Sequence, residues 1–339
     1  NSTASSVART RTASSLEDLN SKTDSPIKLV SLNGSLTIEG GADSEGVSAG
    51  GNGDVLLEAR GASGNIIINA DVISGTGHIT LDAANDLSVN AAVTTAGAGV
   101  VYLISGNDVS VSGSLNNENG DLLLHVAGDL EQTGVLQSVL GDVGLIVGGD
   151  LTQGGSSAVT TGGKLLVESV DDWTMLNGSV ISVGGSQLIG VSGGTITLGR
   201  ITMSNLAANH VGLNAVGDIL DGNGADANVE ESNASAETVV ALRAGGEIGS
   251  TLGADAGSNV QALDLAVDRL AAESSFGIHL KQLASGINLV IGQVAGQTVD
   301  VVGVLRNQFN GTVVAVANES GSVFALEDLV TTDNGEIEL

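Results

Sequence analysis

The chain has 339 residues, of which 50 are Gly, one is Pro and none is Cys; 39 Asp and Glu against 11 Lys and Arg give a net charge of −28. No apolar run reaches the roughly 18 residues that cross a bilayer, the lack of Cys excludes disulfides and thiolate metal sites, and the charge repels nucleic-acid phosphates. Apolar residues make up 42%, yet the aromatics are only Tyr102, Trp173, Phe276, Phe309 and Phe324, a composition that fits a repetitive aliphatic β architecture and not an acidic disordered chain.

Residues 1–27 are polar, carry Arg9, Arg11 and Lys22, and hold the single Pro, Pro26. They are expected to form a linker, a capping segment or a connector. The chain starts at Asn1 with neither an initiator Met nor a signal-peptide core, so the expectation is a piece of a longer parent chain. Residues Gly50-Gly51-Asn52-Gly53-Asp54-Val55 resemble one unit of a nonapeptide Ca²⁺ repeat, but no copy follows directly after it.

From about residue 77 a phrase recurs: a turn residue, often a polar one, then apolar-x-apolar, as in Gly77-His78-Ile79-Thr80-Leu81 and Gly120-Asp121-Leu122-Leu123-Leu124. One series runs through Gly77, Gly99, Gly120, Gly141, Gly163 and Gly185 at nearly constant spacing. A second runs through Asn85, Asn107, Gly128, Gly149, Asp171, Gly194 and Gly217, residue types that tolerate a left-handed backbone. A third, apolar series is Val93, Leu115, Leu136, Val159, Val180 and Ile201. Three short strands in a period of about 22 residues predict the coils of a right-handed parallel β-helix over residues 28–339, about 14 coils in a rod of on the order of 65–70 Å.

Alternation then directs one column inward: Leu87, Val109, Leu130, Leu151, Trp173, Ile196 and Ile219. Trp173 in this column is read as core filler. A narrow aliphatic interior accounts for the scarce aromatics, and continuous strand pairing accounts for the absence of Pro after Pro26.

A second column consists of Asp86, Asp108, Asp129, Asp150 and Asp172. Catalysis needs one carboxylate pair and not a copy on every coil, so the expected role is acceptance of turn N–H groups. Stacked carboxylates about 5 Å apart repel, which keeps Ca²⁺ binding by this column open. Asp171-Asp172, the one adjacent Asp pair, is the candidate acid and base of an enzyme reading.

Residues 221–236 break the spacing with small and acidic residues and predict a loop bulging from one corner. Asp221, Asn223 and Asp226 start like an EF-hand loop but lack its central Gly and closing Glu, so Asp221 and Asp226 are further Ca²⁺ candidates. From about residue 260 the coils are expected to loosen, with one helical turn near 268–272. The closing phrase Glu336-Ile337-Glu338-Leu339 is a strand with no polar cap, and Ile337 and Leu339 are the expected points of end-to-end self-association. The four His residues, at 78, 125, 210 and 279, are scattered and expected at ordinary surface positions.

The phrase Gly120-Asp121-Leu122-Leu123-Leu124 resembles the repeats of filamentous-haemagglutinin-type large bacterial exoproteins. So do Gly246-Glu247-Ile248-Gly249, Leu265, Val267-Asp268, Leu270-Ala271-Ala272, Gly277-Ile278 and Leu280. The resemblance spans roughly residues 30–339. It implies a β-helical stalk, an extracellular or cell-surface location, and a role in adhesion or fibre formation, with no family active site to carry over. The expected function is therefore a non-enzymatic structural rod with no cofactor beyond Ca²⁺, whose partners are other copies or the parent chain. The alternatives are an adhesin module that binds a glycan or protein receptor and, third, a polysaccharide-degrading β-helix enzyme. Neither nucleic-acid binding nor membrane insertion is expected.

Overall fold

The computed structural model describes all residues except 1–17, 42, 233–235, 251–260, 284–288, 302–304, 308–312, 316–318 and 334; for strand residues 301, 305–307 and 313–315 it describes the backbone alone. Every named element is a strand. Strands equivalent by one coil pair in parallel into three long sheets, two of 13 strands and one of nine, which form the faces of a parallel β-helix. One turn of the coil runs through Ala92–Thr95 on face 1, Val101–Ser105 on face 2 and Val109–Val111 on face 3.

The register follows the predicted columns. Leu87, Val109, Leu130, Leu151, Trp173, Ile196 and Ile219 stack in order on face 3, all within one continuous buried core. On face 1 the inward column is Val93, Leu115, Leu136, Val159, Ile181 and Ile201. Val180, assigned to this column from spacing, points outward, because Val159 pairs with Ile181 and the spacing misses the inward position by one residue. A buried Leu, Val or Ile contributes about 1.5–3 kcal/mol. Repetition of several inward side chains on every coil lets so small an interior hold.

Coils of nearly uniform length occupy the middle of the rod. The step from Ile27 to Val55 is longer than the regular step from Val101 to Leu122, and so are those from Val211 to Val240 and on to Leu270. These longer coils toward both ends leave 13-stranded sheets where even spacing gave about 14 coils.

The Gly series have a different cause from the one expected. Among the described glycines, positive φ is confined to Gly51, Gly178, Gly224, Gly249 and Gly292, none of which belongs to either series. In the first series a Cβ on Gly120 would lie 2.7 Å from Gly99 C and 2.9 Å from Ala98 O, inside the 3.0 Å that real Cβ atoms keep. In the second series the space beside Gly128, Gly149 and Gly194 is taken by the Asp carboxylate of the coil below. Close vertical stacking, and not turn handedness, selects Gly at these corners.

Of the expected linker, cap or connector, residues 1–17 lie outside the described residues, and residues 18–27 join the end of the rod: Leu19–Ser21 pairs with Val47–Ala49 on face 1, and Ile27 opens face 2. Two segments depart from expectation. The stretch 221–236 is a loop only in its first half, because Val229–Glu231 pairs with Ile201–Met203 as a regular face 1 strand. No helical turn forms at 268–272; the Ala-rich run Arg269–Ser274 pairs with Val239–Ala244.

The largest departure lies beyond Val290. Val290–Ile291 pairs with Arg269–Leu270, and Leu329–Thr331 pairs with Ala272–Ser274. One face 2 strand of the last coil is thus split, and residues 292–328 leave it as an excursion. Gln297–Val301 and Glu319–Val323 form an antiparallel ribbon that lies on the outside of face 2. Beneath it the outward side chains are apolar: Leu166 and Ile189 pack on Val299 and Val323, and Val239, Ala241 and Ala271 on Val294 and Leu326. The chain then rejoins the rod, with Ile337–Glu338 beside Ile278–His279.

Candidate functional site

The feature with the densest polar chemistry is the corner between faces 2 and 3, where the Asp column stands. Asp108 Oδ1 accepts the N–H of Asp129 at 3.0 Å, Asp129 that of Asp150 at 2.9 Å, Asp150 that of Asp172 at 2.9 Å, and Asp172 that of Thr195 at 2.7 Å. Asn65 Oδ1 begins the ladder by accepting from Asp86 N, and Asp218 Oδ1 extends it to Glu247 N at 2.7 Å. Asp86 itself accepts from Asn107 Nδ2 at 2.7 Å. Each carboxylate from Asp108 to Asp172 therefore satisfies a corner donor one coil on, which the strand ladder leaves unpaired. Asp171 and Asp172, the adjacent pair, are both exposed, and Asp172 Oδ1 is the acceptor for Thr195 N.

A second ladder stands at the corner between faces 1 and 2. Asp54 accepts from His78 N, His78 Nδ1 from Val100 N, Asp121 from Asp142 N and Asp142 from Lys164 N. His78 thus takes an Asp-like place. Burial pushes its imidazole pKa down, with Asp54 opposing. Burial pushes the Asp121 carboxyl up; the bond from Asp142 N pulls it back, and the Asp142 charge adds to the rise. Inside this corner a polar stack satisfies the tight Gly turns. Asn117 donates to Gly99 O and accepts from Gly120 N, Ser138 donates to Gly120 O and accepts from Gly141 N, and Thr161 donates to Gly141 O.

Trp173 fills the core as predicted, with no exposed surface. Its Nε1 donates to Gln153 Oε1 at 2.9 Å, and Gln153 Nε2 donates to Gln132 Oε1 at 2.8 Å, so the indole donor is not left unpaired. Room for the ring comes from Gly190 on face 2, where a Cβ would collide with Trp173 Cζ3 and lie 2.8 Å from Leu213 Cδ2.

The remaining metal candidates are dispersed. Asp221 Oδ1 accepts from Asn223 N at 2.9 Å and Asn228 Nδ2 at 2.9 Å, closing its own loop, while Asp226 is exposed. Among the described residues no group of three or more His, Asp or Glu side chains has the geometry to hold a metal ion. The outer surface of face 3 forms an open groove of about 620 Å³ lined by Asp86, Asp108, Asp129, Asp150, Glu131 and the hydroxyls of Ser88, Ser110 and Thr152. The four His residues do not meet. His279, expected at the surface, is buried at 4% exposure, with Nδ1 3.5 Å from Glu338 Oε2.

One polar cluster escaped the sequence because its members come from two coils joined by irregular corners. Thr238 Oγ1 donates to Glu231 Oε2 at 3.0 Å, and Thr238 N donates to Asp268 Oδ2 at 2.8 Å. Burial pushes the Glu231 carboxyl up; the Thr238 hydroxyl pulls it back, and Asp268 adds to the rise. Arg200 holds Glu230, and Arg269 Nε donates to Glu237 at 3.0 Å. Buried Asp264 has Lys281 Nζ 3.6 Å from Oδ1. These pairs clamp the long coils on either side of Glu237–Ala244, where the corners carry extra residues. The only sequence signal is that loss of period.

Ile337 and Leu339 are 42% and 66% exposed at one end of the rod. No family model matches the chain, and no curated protein or solved structure matches it either.

Proposed function

We propose that this chain is a non-enzymatic structural protein, a stiff β-helical rod that serves as a fibre subunit or adhesin stalk on the outside of a cell. The observation that supports this reading most is the use made of the repeated polar side chains. Every Asp from Asp108 to Asp172 in the column is spent on binding one coil to the next, and such one-dimensional stacking builds length and stiffness. The resemblance to filamentous-haemagglutinin-type exoproteins points the same way. Ca²⁺ is not required by this reading, because backbone N–H groups already balance the carboxylates.

Self-association through Ile337 and Leu339 belongs to the same proposal. Negative-stain electron microscopy at rising concentration tests it. Filaments with a stagger near one rod length are expected from the intact chain and not from Ile337→Lys with Leu339→Lys. Isolated short rods at every concentration would remove the filament reading, and surface labelling of the source cell tests the location. The face 3 groove favours a second reading, recognition of a glycan through the Ser, Thr and Asp side chains lining it. A glycan array without hits would remove that one.

A further inference from the structure

The outward side of face 2 differs from the other two faces. Outward positions of face 1 include Thr94, Asn116, Gln137 and Thr160, and those of face 3 include Ser88, Ser110 and Thr152; the apolar ones there, such as Ile73, Val135 and Ile67, are not buried. On face 2 the matching positions include Leu123, Leu166 and Ile189, all buried although they point away from the core. The ribbon of Gln297–Val301 and Glu319–Val323 covers Leu166 and Ile189. Its fit is close: Val323 lies against Gly212, and Gly321 against Leu166.

Two features make this cover separable from the rod. The last coil closes without it, because Val290–Ile291 and Leu329–Thr331 flank the excursion and complete one strand position. The ribbon's backbone bonds run between its own two strands, so it holds the rod mainly by side chains. Gln187 Nε2 donates to Gln297 Oε1 at 2.8 Å, and Arg243 lies 4.2 Å from the Phe324 ring centroid.

Like charges also meet in this interface. Glu168, on the rod, faces the ribbon backbone at Gly321, where a Cβ would be 3.3 Å from Glu168 Oε1. Glu319, on the ribbon, stands nearby, with Oε1 4.0 Å from His125 Nδ1. The rod residues beside Glu168 in its own column, Ile146 and Val191, are neutral. On the ribbon, Asp300 is exposed and sits across from Ser320.

We propose that the ribbon is a pH-sensitive latch, which grips face 2 while Glu168 carries a proton and loosens when Glu168 ionises against Glu319. Burial under the ribbon pushes the Glu168 carboxyl above its ordinary 4.5, and the Glu319 charge adds to the rise. Closing the ribbon therefore takes up protons, and the sign follows from linkage. The grip is full below the ordinary carboxyl value and is lost as pH climbs through the raised one. Opening uncovers the apolar stripe while the coils stay wound.

The chain has no Cys, so Ile189→Cys places a single thiol under the ribbon. Its maleimide labelling rate, divided at each pH by that of a free Cys peptide, reads the open fraction. Protection is expected to fall roughly fivefold between about pH 4 and pH 8. In Ile189→Cys with Glu168→Gln it should stay at the acidic level throughout. A flat profile in the first variant, or an unchanged fall in the second, overturns the latch. Val323→Cys reports the same contact from the ribbon side should Ile189→Cys lower the melting temperature.

Discussion

Gly120→Ala is the sharpest test of why Gly occupies one corner of every regular coil. The added Cβ would sit 2.7 Å from Gly99 C, whereas carbon atoms rest at about 3.5 Å or more. The coil must therefore rise by roughly 0.8 Å against a spacing of about 4.8 Å. Two bonds tie these coils beside the site, Val101 N to Asp121 O and Asn119 N to Gly97 O, both 3.1 Å. Stretched by that amount they pass the length at which a hydrogen bond counts as made, and each is worth about 1 kcal/mol. With the packing strain of an overfilled site, the expected loss is about 2–4 kcal/mol.

Because each coil touches only its neighbours, the damage should be local. Amide exchange should rise in Val101–Ser105 and Leu122–Val126 and stay unchanged in Gln187–Ser192. The control is Gly34→Ala, whose Cβ meets nothing closer than Ser31 Oγ at 3.7 Å; it should be neutral or stabilising by up to about 1 kcal/mol. If Gly120→Ala and Gly34→Ala unfold at the same denaturant concentration, the close-stacking account of the Gly ladder is wrong.

Gly190→Ala should cost about 1–3 kcal/mol, since its Cβ meets the Trp173 ring, and adding Trp173→Leu should recover most of the loss in a double-mutant cycle. Asp129→Ala should cost about 1 kcal/mol by orphaning Asp150 N, whereas Asp129→Asn keeps an acceptor, removes one charge from the column and should be neutral or stabilising at low salt. Melting temperature should not move on adding a chelator, and a drop of several degrees would revive Ca²⁺ binding by the Asp column. Asp121 is held above its ordinary 3.8 by burial, so the folded chain binds its proton more tightly than the unfolded one does. The penalty is absent below that ordinary value and complete above the raised one. Asp121→Asn should therefore stabilise at neutral pH and show no gain in acid below the ordinary value, as urea midpoints across pH would reveal.

What was legible in the sequence follows from what repeats. Leu87 to Ile219 could be placed inward, and Asp108 to Asp172 at a corner, because a parallel coil puts each residue directly above its counterpart one period earlier. Spacing alone then becomes three-dimensional position. Val180 shows the limit even there, since an assignment one residue off, Val180 for Ile181, exchanges inward for outward. The reason for the corner Gly residues was not legible either, because turn handedness and vertical crowding leave the same letter in the sequence.

Where contacts join residues far apart by irregular separations, the period gives no purchase. Gln187 meets Gln297 across 110 positions, and Glu231, Thr238 and Asp268 converge only after coils of unequal length are wound. A trace of the ribbon was nonetheless present. Leu122-Leu123-Leu124 and Leu165-Leu166-Val167 are unbroken apolar runs where a strand with one wet face should alternate. In those two coils alternation holds on faces 1 and 3, as in Ser114-Leu115-Asn116 and Trp173-Thr174-Met175, and fails on face 2. Failure of alternation along one face of an otherwise regular rod is itself a prediction that something covers that face. In a single chain the covering segment has to be sought where the period stops, which here means beyond Val290. The same reasoning explains why Leu166 and Ile189 are tolerated as outward residues: they are solvent-facing by repeat position and core by packing, and only removal of the ribbon would make them the liability that their place in the coil suggests.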